Sequence, residues 1–230
     1  MSDALDVRVE RGMDRQLAAR RARIEAGAHP IGWKVGFGSA AAMAGLGISA
    51  PLVGFLTDAG IVAEGSTYSI SGWTRPMLEP EVAVHMAGDV RSGSSRDEVE
   101  TAIAAVGPAI ELVDLDPPPT DVEEICAGNI YHRGVALGPT RSGASMAGVT
   151  GHVFTDGIEA AHTGDPQELP GELVPLVAQV ADVLGAFGER LRAGDVVITG
   201  SIVTPLAIRV GTTVRYELEP LGTIELTFSS

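Results

Sequence analysis

Apolar residues recur with a helical period in two parts of the chain. Met13, Leu17 and Ile24 fall on one stripe of residues 6–26, which predicts an amphipathic helix stopped by Gly27. Leu173, Leu176, Val177, Val180, Leu184 and Phe187 repeat at the same spacing ahead of Gly188 and predict a second. Shorter helices are expected at 40–46 and 96–106. The remaining pattern is one of short extended runs closed by Gly, Pro or Ser, at 31–38, 52–55, 60–63, 68–70, 78–86 and 109–115. Four more follow the second long helix, at 196–199, 206–210, 213–218 and 223–228. Residues 117–119 are all proline, which breaks the chain and opens a loop or short helix through Glu124; no regular element is assigned to 125–171.

These elements predict an α+β, mainly β fold. The 230 residues suit one domain, and 29 glycines with 14 prolines provide the turns that many short strands need. With no internal repeat or linker, residues 1–30 are expected to form an N-terminal helix packed on a single domain at 31–230. Aromatics are 4% of the chain, so the core must be built from Val, Ile, Leu and Ala. Arg15, Arg20, Arg21 and Arg23 are expected to form a solvated face of the first helix.

A net charge of −14 argues against nucleic acid or an anionic membrane surface as a partner. It leaves room for a small anion in a cleft where a cation inverts the local field. Cys126 is the single cysteine, so neither an internal disulfide nor a thiolate metal cluster can form. No apolar run has the length of a membrane span and no signal-peptide segment is evident, so a cytoplasmic protein is expected.

The chemistry-bearing residues are acids where a strand should bury apolar groups. In the run from Leu78 to His85, a period of two puts Glu79, Glu81, Ala83 and His85 on one face and Pro80, Val82 and Val84 on the other. Two carboxylates on one face repel unless a positive group sits between them. Pro80 lacks an amide donor, which predicts an edge or a bulge at that point. Glu111 lies inside the aliphatic run Ala109-Ile-Glu-Leu-Val113, where burial is costly without a partner. Three carboxylates without a cysteine cluster favour a hard cation, Mg2+ or Mn2+, with Ca2+ possible. Spacing alone leaves the alternatives open: a solvated Glu-x-Glu face, and a Glu111 paired with arginine. Lys34, flanked by Gly32 and Gly36, is a candidate to hold a substrate carboxylate or relay a proton, or else an exposed strand lysine.

An ordered set of motifs resembles the 2-keto-4-pentenoate hydratase and 4-oxalocrotonate decarboxylase group of the fumarylacetoacetate hydrolase superfamily. It comprises Gly32-Trp-Lys-Val-Gly36, Leu46-Gly-Ile48, Pro51-Leu-Val-Gly-Phe-Leu56, Glu79-Pro-Glu81 before Val82-Ala83, Pro108-Ala-Ile-Glu-Leu-Val113, Leu191 through Gly200, and Leu221-Gly-Thr-Ile224. The resemblance implies a mixed β-sheet roll like the C-terminal domain of that superfamily. It implies Mg2+ or Mn2+ on Glu79, Glu81 and Glu111, and a small anionic 2-oxo acid or 2-hydroxy-dienoate as substrate. It implies a homo-oligomer and a role in aromatic catabolism. The expected reaction is hydration through a metal-stabilised enolate; decarboxylation or acylpyruvate-type carbon–carbon hydrolysis would start from the same enolate. An auxiliary protein with altered activity is a third reading.

The chain departs from the group's pattern in four respects, among them a region ahead of Lys34 shorter than usual and a helix at 172–180 without the group's tryptophan. Leu52 replaces an acidic residue, and Gly128-Asn-Ile-Tyr-His-Arg133 replaces a segment of small serine-containing residues. By position, Asn129, Tyr131 and Arg133 are candidate substrate-binding residues, with Lys34 and His132 as candidate catalytic ones. This substitution predicts that His132 or Arg133 faces the metal cavity, and that the substrate is bulkier or more acidic than 2-hydroxypentadienoate.

Overall fold

The computed structural model describes residues 6–116, 118 and 120–230. Helix α1 (Val7–Glu25) starts at Asp6, whose side chain accepts from the Arg8 amide, and buries Val9, Met13, Gln16 and Leu17. Then follow β1 (Pro30–Gly36), α2 (Ala40–Leu46), β2 (Leu52–Thr57), β3 (Thr67–Ser69) and β4 (Pro76–Met86). The middle holds α3 (Arg96–Ala102), β5 (Ile103–Asp114), α4 (Val122–Ala127), β6 (His132–Leu137), β7 (Arg141–Ser142), β8 (Thr150–Thr155) and β9 (Ile158–Thr163). Helix α5 (Leu173–Ala186) precedes β10 (Val196–Ile198), β11 (Leu206–Ala207), β12 (Thr213–Glu219) and β13 (Gly222–Ser229).

The strands form two mixed sheets. One runs β2-β1-β10-β4-β5-β6, with β11 beside β4 and β7 beside β5; the other runs β3-β13-β12-β8-β9. The β1–β10 and β13–β3 pairs are parallel and the other named pairs antiparallel. Alternation along the first sheet sends Val82, Val84, Ile110 and Leu112 into a large core shared with Tyr216, Ile224 and Leu226 of the second sheet and Val177, Val180 and Leu184 of α5. The opposite face carries a small cluster of Leu56, Ala83, Ala109, Val135, Val196 and Ile198. By register, Lys34, Glu79, Glu81 and Glu111 stand on that second face.

Several expectations are corrected. The helix expected over 96–106 ends at Ala102, because Ile103 turns extended and pairs with Met86, and the Gly107-Pro108 step suits a strand. The stretch expected to be extended at 60–63 is instead a 3-10 turn, Asp58–Gly60, followed by a single bridge from Ile61 to Val135. Pro80 sits at neither an edge nor a bulge: it pairs with Ile110 inside the β4–β5 ladder. Its missing amide faces the gap between β10 and β11, where Ile202 donates to the Pro80 carbonyl at 2.9 Å. Arg20 is not solvated, since its side chain is 11% exposed and its guanidinium stacks 4.7 Å from the Trp33 ring centroid. His132 and Arg133 begin strand β6 rather than lying in a loop. Pro117 and Pro119, two of the expected chain-breakers, lie outside the described residues.

Candidate metal centre

The β4–β5 register sets Glu79 directly opposite Glu111, and Glu81 two residues along the same face. One carboxylate oxygen from each of the three lies within 4.8 Å of the others. Glu81 and Glu111 are buried, and Glu79 is partly buried at a cavity wall. Glu81 Oε2 accepts from the Gly200 amide at 2.7 Å, and the Tyr216 hydroxyl donates to the Glu81 backbone carbonyl at 3.1 Å. Glu111 Oε1 is held by Lys34 Nζ at 2.6 Å and His132 Nδ1 at 2.7 Å. The remaining oxygens, Glu81 Oε1 and Glu111 Oε2, are buried without a hydrogen-bond partner. Such orphaned acceptors are costly unless a donor or cation meets them.

The protonation equilibria carry the same message. Burial, reinforced by the charge of Glu111, raises the Glu79 carboxyl to about 7, with Lys34 opposing. Burial and the charges of Glu111 and Glu79 push Glu81 well above the ordinary carboxylate range, against Lys34 and the Gly200 amide. Burial also acts upward on Glu111, but Lys34 and His132 outweigh it and hold that carboxyl low. Three carboxylates facing one lysine are thus under-neutralised. A divalent cation fits, and the all-oxygen donor set suits a hard ion such as Mg2+, Mn2+ or Ca2+.

Lys34 reaches the triad because its cross-strand neighbour in β2 is Gly54. A Cβ there would lie 2.8 Å from both Lys34 Cγ and Asn129 Oδ1. Past α4 the chain makes three successive left-handed residues, Asn129 (φ 55°), Ile130 (φ 52°) and Tyr131 (φ 61°). This is costly for a β-branched isoleucine, at roughly 1–3 kcal/mol per residue. Two anchors hold it. The Asn129 amide bridges the Phe55 backbone, accepting from its N–H at 2.8 Å and donating to its carbonyl at 3.0 Å. Lys34 Nζ donates to the Ile130 carbonyl at 3.0 Å. The run delivers Tyr131 to the cavity wall and His132 to Glu111.

Residues 34–229 match the family described as fumarylacetoacetate (FAA) hydrolase C-terminal. The chain belongs to this family. Among its relatives is a 4-oxalocrotonate decarboxylase of Pseudomonas sp, 28% identical over 98% of this chain and 88% of the relative. Another is a 2-hydroxyhexa-2,4-dienoate hydratase of Comamonas testosteroni, 27% identical over 91% of this chain and 82% of the relative. The solved structure of 4-oxalocrotonate decarboxylase from Pseudomonas putida G7, complexed with magnesium and adipate, is 25% identical, with a TM-score of 0.88 over 94% of this chain and 84% of that one. The expected fumarylacetoacetate-hydrolase-like roll is therefore the observed fold.

Of the site residues expected from the sequence, this family member brings together Lys34, Glu79, Glu81, Glu111 and His132. Lys34, Glu79 and Tyr131 line a cavity of about 340 Å3. The other two candidates go elsewhere. The Asn129 side chain is spent on the Phe55 backbone, and Arg133 turns toward Asp114, 3.7 Å away, in an adjoining cavity of about 740 Å3 that shares Tyr131 and also holds Arg15 and Asp121. Sequence reasoning missed two groups: the Gly200 amide that bonds Glu81, and the Ile130 carbonyl that receives Lys34. The first has a signal in hindsight, since Gly200 at φ +91° is a backbone position that other residues rarely adopt.

Proposed function

We propose that this protein is a divalent-metal-dependent lyase of the hydratase type, acting on a small 2-oxo acid or 2-hydroxy-dienoate. One observation carries the reading: three convergent glutamates, two of them with an unpartnered buried oxygen, lie beside Lys34 at a small, mostly apolar cavity. A bound divalent cation would supply the positive charge that stabilises electron density arriving on the 2-oxo oxygen. Glu79, Glu81 and Glu111 would hold it. Lys34, lining the cavity, neutralises the substrate carboxylate or relays a proton, and Tyr131 with the apolar wall keeps bulk water away. His132 serves as a positioning residue: its side chain is 5% exposed and outside the cavity lining, so it orients Glu111 rather than activating water.

Decarboxylation of a 2-oxo diacid is the second reading, favoured by the decarboxylases among the relatives. Residues 31–230 are read as one catalytic domain with the N-terminal helix packed on it. A cytoplasmic homo-oligomer working on products of aromatic ring cleavage is in keeping with the family resemblance, and no helix among the described residues is long and apolar enough to cross a membrane. The test follows ultraviolet absorbance of 2-hydroxy-dienoates with Mg2+ and with EDTA. Consumption with water addition only in Mg2+ supports the hydratase; release of CO2 from a diacid would replace it by the decarboxylase; no metal-dependent turnover refutes both.

A further inference from the structure

Lys34 and Glu79 are the charged side chains among the described residues lining the 340 Å3 cavity. The rest of the wall is backbone, hydroxyl or apolar, with Phe37, Val113, Leu115, Leu169, Val203 and Pro205 contributing the apolar area. Lys34 is committed to the head of the site, with Glu111 Oε1 at 2.6 Å and the Ile130 carbonyl at 3.0 Å. The two arginines of the adjoining 740 Å3 cavity face carboxylates there. Arg133 lies 3.7 Å from Asp114 and Arg15 lies 2.6 Å from Glu124, both on the far side of Tyr131, which lines the two cavities.

We propose that the enzyme selects a 2-oxo acid with one carboxylate and an uncharged, apolar tail, and discriminates against dicarboxylates of the same length. The inference rests on the lyase reading of this site and specifies its substrate class. A 2-oxo acid head fits the cation and Lys34. A second carboxylate would be stripped of water against an apolar wall without a countercharge, the costliest group to bury unpaired. Enzymes that welcome a far carboxylate usually present an arginine fork to it. Here the arginine that could have served, Arg133, leaves the cavity through the turn at Tyr131. Of the two alternatives raised by the sequence, a bulkier or a more acidic substrate, the apolar wall favours the bulkier. The chain sides with its 2-hydroxyhexa-2,4-dienoate hydratase relative rather than with the decarboxylase whose structure holds adipate, a dicarboxylate.

The test compares kcat/KM of the Mg2+-loaded enzyme on 2-hydroxyhexa-2,4-dienoate and its matched six-carbon diacid, 2-hydroxyhexa-2,4-dienedioate. Calorimetric binding of 2-oxohexanoate and 2-oxoadipate in Mg2+ runs in parallel. The monoacid should win in both, by on the order of 100-fold in kcat/KM. Leu169→Arg, which puts a cation on the wall, should move the preference toward the diacid by about tenfold or more. A diacid that matches or beats the monoacid in both turnover and binding overturns the inference and leaves the lyase reading standing. Mg2+-dependent preference for 2-oxohexanoate without turnover of either dienoate would do the reverse: the lyase reading falls and the monoacid selection stands.

Discussion

If Glu79, Glu81 and Glu111 hold the cation as proposed, stripping it should make the fold pH-sensitive in a defined direction. In the folded metal-free protein the Glu79 carboxyl titrates near 7, against an ordinary value of 4.5. The folded state therefore binds its proton more tightly than the unfolded chain does. That contribution to stability is fully present below 4.5 and is lost as pH rises through 7. At 1.36 kcal/mol per tenfold change, the loss from Glu79 is about 3 kcal/mol. Glu81 shifts the same way and adds to it. Glu111 is held low, so its contribution is lost only as pH falls through its folded value, on the acid side of this window. For a chain of this length about 3 kcal/mol corresponds to roughly 6–12 °C in Tm. Thermal unfolding followed by circular dichroism between pH 5 and 8 should show that fall in EDTA and lose it in saturating Mg2+, since the cation keeps the carboxylates ionised. Glu79→Gln should flatten much of the EDTA slope. A Tm in EDTA that is flat or rises from pH 5 to 8 would refute the assignment of these carboxyls as an under-neutralised cluster.

Lys34→Met should lower kcat by about 10²-fold or more while changing Mg2+ affinity by less than about tenfold, measured by steady-state kinetics beside Mg2+ titration; equal loss of both would make Lys34 a structural residue. Gly54→Ala, which forces a methyl to within 2.8 Å of Lys34 Cγ and Asn129 Oδ1, should cost about 1–3 kcal/mol and cut turnover with Mg2+ binding retained. Denaturation and kinetics on the same variant check it, and an unchanged kcat would mean that Lys34 tolerates displacement.

The acids were legible because alternation is a strong rule: a glutamate at an apolar strand position has to be explained, and three of them suggest one explanation. What alternation cannot supply is register. That Glu79 faces Glu111 depends on where the turn through α3 leaves β5, and the expected helix over 96–106 would have shortened β5 by several residues at that end. The missed strands β8 and β9 had a local signal in Asp156-Gly157, a two-residue hairpin turn with both residues at positive φ (51° and 81°). The turn at Asn129–Tyr131 had almost none. Only Asn129 is a residue type that tolerates the left-handed region, and Ile130 argues locally against it. Its conformation is imposed by Phe55 and Lys34, partners distant in sequence, so local pattern could place His132 and Arg133 in the right neighbourhood but not point their side chains.

Gln16 has a consequence for where this enzyme can be cut. It is fully buried in α1, and its Nε2 donates to the Val53 carbonyl at 3.2 Å and to the Cys126 carbonyl at 2.8 Å. Val53 adjoins Gly54, which makes room for Lys34, and the Cys126 carbonyl also receives the Asn129 amide at 3.0 Å. One amide thus ties together the two segments that hold the lysine and the left-handed turn in place. The helix carrying it lies wholly ahead of the family-matched segment, which begins at residue 34. Trimming the protein to that segment would withdraw a shared hydrogen-bond donor from both segments. It would also remove Trp33 and uncover Phe55 beneath Arg23. Any shortened or swapped version should carry α1 with it, because the helix acts as a remote brace on the lysine side of the centre while contributing no ligand to the cation.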